Sequence, residues 1–153
     1  MKFKRNILVE KKTHAVKNNM ISNPKKTVLY LSPTYEGSVH DKKICDEEPF
    51  DFEKEINLLQ DSGFQGHKPN NAIIHMPEKN TKYHKLNEEQ KQQNRIKSSK
   101  RVVIEHVISG IKRCRIVKDK FRYRRYGYED LVMVLACGLH NFRIECRQKT
   151  IKT

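Results

Sequence analysis

From Asn87 to Val117 the chain runs without a proline and with one glycine, Gly110. Such a stretch folds as one long helix or as a helix broken once, because nothing else in it interrupts the backbone ladder. Asn87 followed three residues later by Gln90 has the form of a reciprocal N-terminal cap, which marks the start. Val103, Ile104, Val107, Ile111 and Cys114 fall on one face, so this helix needs an apolar surface to lie against.

Short extended segments supply that surface. Residues 14 to 23 and 24 to 33 read as two strands joined by a polar turn at Asn23-Pro24-Lys25-Lys26. Ser38 is a candidate cap for a short helix with Asp41 in its first turn. Ile56, Leu58 and Leu59 form a buried strand ending at Gln60, with Asp61 at its carboxyl end before Ser62-Gly63, and residues 72 to 77 form another strand stopped by Pro77. A second apolar helix runs from about Tyr128 to Phe142, with Leu131, Leu135, Leu139 and Phe142 on one face. Its apolar run is far short of the ~20 residues of a membrane span and reads as a buried helix, so no membrane partner is expected.

The 153 residues suit one domain. The net charge of +14 is concentrated: residues 79 to 125 hold sixteen Lys and Arg against four Asp and Glu, whereas residues 47 to 78 hold two against seven. A basic segment beside an acidic one suits a polyanion partner together with metal-gathering carboxylates, and it equally suits solvated charged helices. Cys45, Cys114, Cys137 and Cys146 show no close pairing and read as reduced thiols, without a structural zinc site. The apolar run Ile7 to Val9 is too short for a signal core, so a cytoplasmic location is expected.

Two carboxylates stand out. On a helix, Arg101, Glu105, Ile108 and Lys112 share a narrow stripe, placing Glu105 at the border between the apolar face and a basic rim. Glu105 there is either a ligand held at a cleft or a boundary residue paired with Arg101 one turn back. Asp61 at a strand end before a glycine turn is either a functional side chain or an ordinary turn former and cap.

The spacing Arg, three residues, Glu, six residues, Lys resembles the C-terminal signature of the insertion-sequence DDE transposases, with Ser98 where that signature usually has Tyr. "QDSGFQG" resembles the segment bearing the second catalytic Asp of that superfamily. "HAVKNN", "LSPTYEGSVHDKKI" and "RVVIEHVISGIKRCRI" resemble its Harbinger-like endonuclease branch. The resemblance covers Lys11 to Phe142. It implies an α/β fold, a ribonuclease-H-like mixed sheet with flanking helices, with Asp61 and Glu105 as catalytic and metal-binding carboxylates, Mg²⁺ or Mn²⁺ as cofactor, and DNA at transposon ends as partner. No other cofactor is implied.

In that family the first catalytic Asp lies on the central first strand, ahead of the hairpin. Only "MKFKRNILVE" precedes it here, and those residues contain no Asp. The expectation is therefore an N-terminally truncated domain lacking its first strand: residues 1–12 a non-homologous or remnant N-terminus, 13–145 a partial catalytic domain and 146–153 a basic tail. Such a fragment is inactive alone or completed by an upstream-encoded transposase half. Asp41 is a candidate third carboxylate or a helix-end residue. Lys112, Arg113, Arg115, Lys118, Lys120, Arg122, Arg124 and Arg125, the last three interleaved with tyrosines, are positioning or DNA-binding candidates, or a basic loop between helices. A non-catalytic basic nucleic-acid-binding remnant is the alternative function.

Overall fold

A computed structural model describes residues 2–8, 16–78, 80, 85–119, 125 and 127–150. Strands β1 (Lys2–Leu8), β2 (Val16–Ser22), β3 (Val28–Leu31), β5 (Ile56–Leu59) and β6 (Ala72–His75) form a mixed sheet in the order β3-β2-β1-β5-β6, and the short β4 (Tyr35–Glu36) also pairs with β2. Helices α1 (Asp41–Glu47), α2 (Glu88–Ile111), α3 (Arg115–Lys118) and α4 (Tyr128–Thr150) complete the described elements.

The sheet corrects one expectation. Its first strand is not missing: Lys2–Leu8 lies between β2, antiparallel from Phe3 opposite Ser22 to Leu8 opposite Lys17, and β5, parallel at Lys2 opposite Leu58 and Phe3 opposite Leu59. A gap there would leave two facing rows of unpaired N–H and C=O groups. Ladder bonds are made by backbone, so this strand forms although its sequence contains no acid.

The hairpin between β2 and β3 turns where the sequence indicates. Lys26 takes the left-handed φ of 69°, and the Asn23 carboxamide oxygen accepts from Thr27 N at 3.0 Å. Ser38 does not cap α1. His40 does so, its Nδ1 accepting from Lys42 N at 3.3 Å, while Asp41 occupies the first turn.

Helix α2 is continuous for 24 residues and begins with the Asn87–Gln90 capping box. The chain breaks after Ile111, and the short α3 returns Val117 to the core. Gly110 lies one residue before this break, and it is the place where two helices meet. The ring of His140 on α4 lies where a side chain at Gly110 would project, and Arg143 Nη2 donates to the Gly110 carbonyl at 3.0 Å. Ile104, Val107, Ile108 and Ile111 pack with Met20, Leu59, Met133 and Cys137 into the main core. Each fully buried aliphatic side chain there contributes about 1.5–3 kcal/mol. Ile21, Ile44, Cys45, Leu58 and Phe64 are buried outside that cluster, and strand alternation puts Ile21 and Leu58 on the opposite face of the sheet.

Helix α4 corrects a second expectation. It continues to Thr150, so residues 146–150 of the supposed tail are helical, and the leucine stripe does not face the core. Met133, Ala136, Cys137 and His140 are buried, whereas Leu131, Leu135, Leu139 and Phe142 are 51%, 58%, 58% and 65% exposed. Hydrogen bonding explains the orientation. Strand β3 is a sheet edge, and Asn141 closes it by accepting from Val28 N at 2.8 Å and donating to Val28 O at 2.9 Å. Further along, the Asp130 carboxylate accepts from Thr34 N at 2.6 Å. Only the face with these polar groups satisfies the edge, so that face turns inward.

Buried His140 donates from Nε2 to Lys26 O at 2.8 Å, since a carbonyl only accepts, and Nδ1 makes no hydrogen bond. Burial holds its pKa below the usual 6.5, outweighing the Lys26 bond, and Arg143, Arg113 and Arg147 push the same way. A depressed histidine stabilises the fold fully above its unfolded pKa and loses that contribution as pH falls toward its folded pKa. Denaturant titrations at pH 5 and pH 7 should therefore show a larger acid loss in the native chain than in His140→Gln. Gly110→Ala should be destabilised by about 1–3 kcal/mol through overpacking against that ring. Asn141→Ala should lose about 1–3 kcal/mol by leaving Val28 unsatisfied. Thermal melts check both.

Candidate active site

Asp61 is set by the end of β5. Gln60 N still bonds His75 O at 3.0 Å, after which the chain leaves the sheet and forms a 3₁₀ turn, Ser62–Phe64. Asp61 caps this turn, its Oδ1 accepting from Ser62 N at 2.7 Å. Its Oδ2 accepts from Arg101 Nη2 at 3.2 Å, with both side chains about a third or less exposed. The cap reading of Asp61 therefore holds for one oxygen, and the other reaches α2.

That ion pair joins two motifs that lie 40 residues apart. Arg101 is one helical turn from Glu105, a spacing that puts their Cβ atoms about 5–6 Å apart. Glu105 is exposed, flanked by the buried Ile104 and Ile108, and Lys112 is partly buried at the C-cap of the same helix. The stripe therefore lies at the core border, as the periodicity indicates.

Asp41 has a different environment. Its Oδ1 accepts from Lys17 Nζ at 3.1 Å, and this pair is mostly buried. Asp41 Oδ2 also lies against Gly63, only 2.5 Å from where a Cβ would stand. Glycine at 63 is thus a packing requirement, and Gly66, with φ of 86°, is a conformational one. Sequence reasoning missed Lys17. The available signal was a lysine inside a strand of otherwise buried residues, Val16–Ser22, since a buried ammonium needs a paired carboxylate.

No three His, Cys, Asp or Glu side chains among the described residues gather to hold a metal ion. Asp61 carries an arginine on one oxygen, Asp41 carries a lysine, and the sequence of β1 has no acid. The described residues by themselves do not fit a two-ion phosphoryl-transfer site, which needs carboxylates from separate elements around both ions.

The basic candidates are spread beyond α2. Arg113, Arg115 and Lys118 are exposed, with Arg115 pairing at 3.4 Å to Asp119 in an exposed i,i+4 bridge that contributes little. Arg125 lies over the Tyr128 ring at 5.9 Å. Lys120, Arg122 and Arg124 lie outside the described residues.

The family pattern of the DDE superfamily endonucleases matches residues 8–141, and the chain belongs to that family. A curated relative, the probable transposase for insertion sequence element IS702 from Microchaete diplosiphon, is 27% identical over 133 residues, which cover 86% of this chain and 47% of that protein. The chain thus spans about half the length of this relative. No solved structure matches it. No helix among the described residues is long and apolar enough to cross a membrane.

Asp61→Ala removes the turn cap and the partner of Arg101 together and should lose about 0.5–2 kcal/mol. Arg101→Ala removes only the partly exposed pair and should lose less than about 1 kcal/mol. Urea unfolding checks the order, and a larger loss for Arg101→Ala would contradict the division of labour between the two oxygens.

Proposed function

We propose that this chain is part of the catalytic domain of an insertion-sequence DDE transposase, with a ribonuclease-H-like sheet and DNA at transposon ends as its partner. Asp61 and Glu105 are its candidate catalytic carboxylates, with Arg101 and Lys112 as positioning residues. The single observation that carries this reading is the Arg101–Asp61 ion pair, because it joins the "QDSGFQG" turn to the Arg-Glu-Lys stripe.

DDE superfamily endonucleases generally use divalent metal ions, here expected to be Mg²⁺ or Mn²⁺. Since the residues present do not complete such a site, the chain alone does not cleave DNA. The third acid comes from elsewhere, and an upstream-encoded transposase half is the partner this reading implies. DNA and protein meet in the cytoplasm in this reading.

The basic segment would hold the phosphates. Arg113, Arg115, Lys118, Arg122, Arg124 and Arg125 are the proposed contacts, with neighbouring tyrosines for stacking on an unpaired end. A second reading, a non-catalytic basic nucleic-acid-binding module, is favoured by the acid-free sequence of β1 and the cation already on Asp61.

A Mg²⁺ and Mn²⁺ titration followed by calorimetry and a nicking assay separates the two readings. The chain alone is expected to bind the ions weakly and to leave a supercoiled plasmid intact. Adding the other half should restore nicking, with Asp61→Asn and Glu105→Gln abolishing it. Restored nicking that survives both substitutions would reject the catalytic assignment. DNA binding should fall steeply with salt, by about 10³-fold or more between 50 and 200 mM if six or more phosphates are contacted. A flat salt response in fluorescence anisotropy would exclude the basic segment as the DNA surface.

A further inference from the structure

Strand β2 grips α1 with two side chains that reach the same residue. Lys17 and Asn19 are two apart and so share one face of the sheet. Lys17 Nζ meets Asp41 Oδ1 at 3.1 Å, and Asn19 Nδ2 donates to the Asp41 carbonyl at 3.1 Å. The start of α1 is therefore fixed through its side chain and its backbone at once. The helix dipole asks only for negative charge at this end, and an Asp41 facing water would supply it. Turning the carboxylate inward onto a buried lysine desolvates both groups, so the inward position needs another reason.

The second carboxylate oxygen supplies it. With Oδ1 on Lys17, Asp41 Oδ2 lies against Gly63, in the middle of the Ser62–Phe64 turn that Asp61 caps. A lone 3₁₀ turn has poor hydrogen-bond geometry and depends on what packs around it. Here Phe64 is buried on one side, and Asp41 backs the other through Gly63. The turn sets the place of Ser62 N, the donor that orients the Asp61 carboxylate and leaves its other oxygen for Arg101. A continuous path of contacts thus runs from Lys17 through Asp41, Gly63 and Ser62 to Asp61.

We propose that Lys17 and Asp41 are positioning residues for Asp61, their ion pair acting as a backstop that fixes the turn from which this carboxylate projects. This role rests on the reading of Asp61 as a catalytic carboxylate. It gives Asp41 a part in the site without making it a metal ligand.

NMR of the full chain reads the turn directly. Asp61→Asn identifies the Ser62 amide and Arg101 side-chain resonances that depend on the carboxylate. Lys17→Met combined with Asp41→Asn keeps side chains of similar shape and leaves no buried charge unpaired, so this variant should retain the native circular dichroism spectrum. Its Ser62 and Arg101 signals should nevertheless move toward those of Asp61→Asn. Gly63→Ala should move them in the native chain, where its Cβ would stand 2.5 Å from Asp41 Oδ2. It should have no further effect beside Lys17→Met and Asp41→Ala, where the new methyl lies an ordinary 3.8 Å from the Cβ at position 41. With the other transposase half supplied, Lys17→Met/Asp41→Asn should nick a supercoiled plasmid with unchanged KM and kcat lowered on the order of 10²-fold, the loss that follows a misplacement of about 1 Å. Unmoved Ser62 and Arg101 signals in the folded double variant overturn the proposal. So does an equal response to Gly63→Ala in both backgrounds, or full kcat in the double variant. A native chain that does not nick with its other half defeats the catalytic reading of Asp61, and the resonances still decide whether the ion pair fixes the turn.

Discussion

Every backbone N–H and C=O of a sheet needs a partner, and this requirement organises the molecule from its centre to its edge. At the centre it draws Lys2–Leu8 between β2 and β5, where the strand is held by main-chain bonds that do not depend on which side chains it carries. At the edge it draws Asn141 onto Val28, so that a side-chain amide takes the place of a further strand. The second contact sets the rotation of α4. That rotation lays His140 over Gly110 and brings α2 and α4 close enough to share one core around Val107 and Ile111.

The candidate site depends on this arrangement. Helix α2 lies against the sheet through Ile104, Val107, Ile108 and Ile111, and its border carries Arg101 and Glu105 beside the end of β5. Asp61 serves two purposes at once, capping its own turn and neutralising Arg101. Asp41 is neutralised by Lys17 and supports the same turn through its contact with Gly63. Cations thus occupy both aspartates, which is the electrostatic state of a stable folded chain.

Two kinds of surface remain. The charged one carries Arg113, Arg115 and Lys118 at the end of α2 and on α3, and the apolar one follows α4 from Leu131 to Phe142. The first suits a polyanion and the second a dry protein contact.

Much of this was legible from residue order. The Asn87 cap, the length of α2, the turn at Asn23, the strand ending before Asp61 and the border position of Glu105 are all local or periodic properties, encoded within a few turns of chain. The face on which α4 is buried was not legible. Periodicity located a leucine stripe on a helix read as buried, and only the edge of β3 reveals that His140 and Asn141 turn inward while the stripe does not. The missing first strand was misjudged for a related reason, because side-chain pattern says little about a strand held by backbone pairing alone. The pairing of Arg101 with Asp61 also lay beyond the sequence. By itself the sequence determined the elements, the distribution of charge and the residue types of the site. Tertiary structure alone decided which backbone groups needed partners, which side chains supplied them, and so which charges came together, because those are distances between segments far apart along the chain.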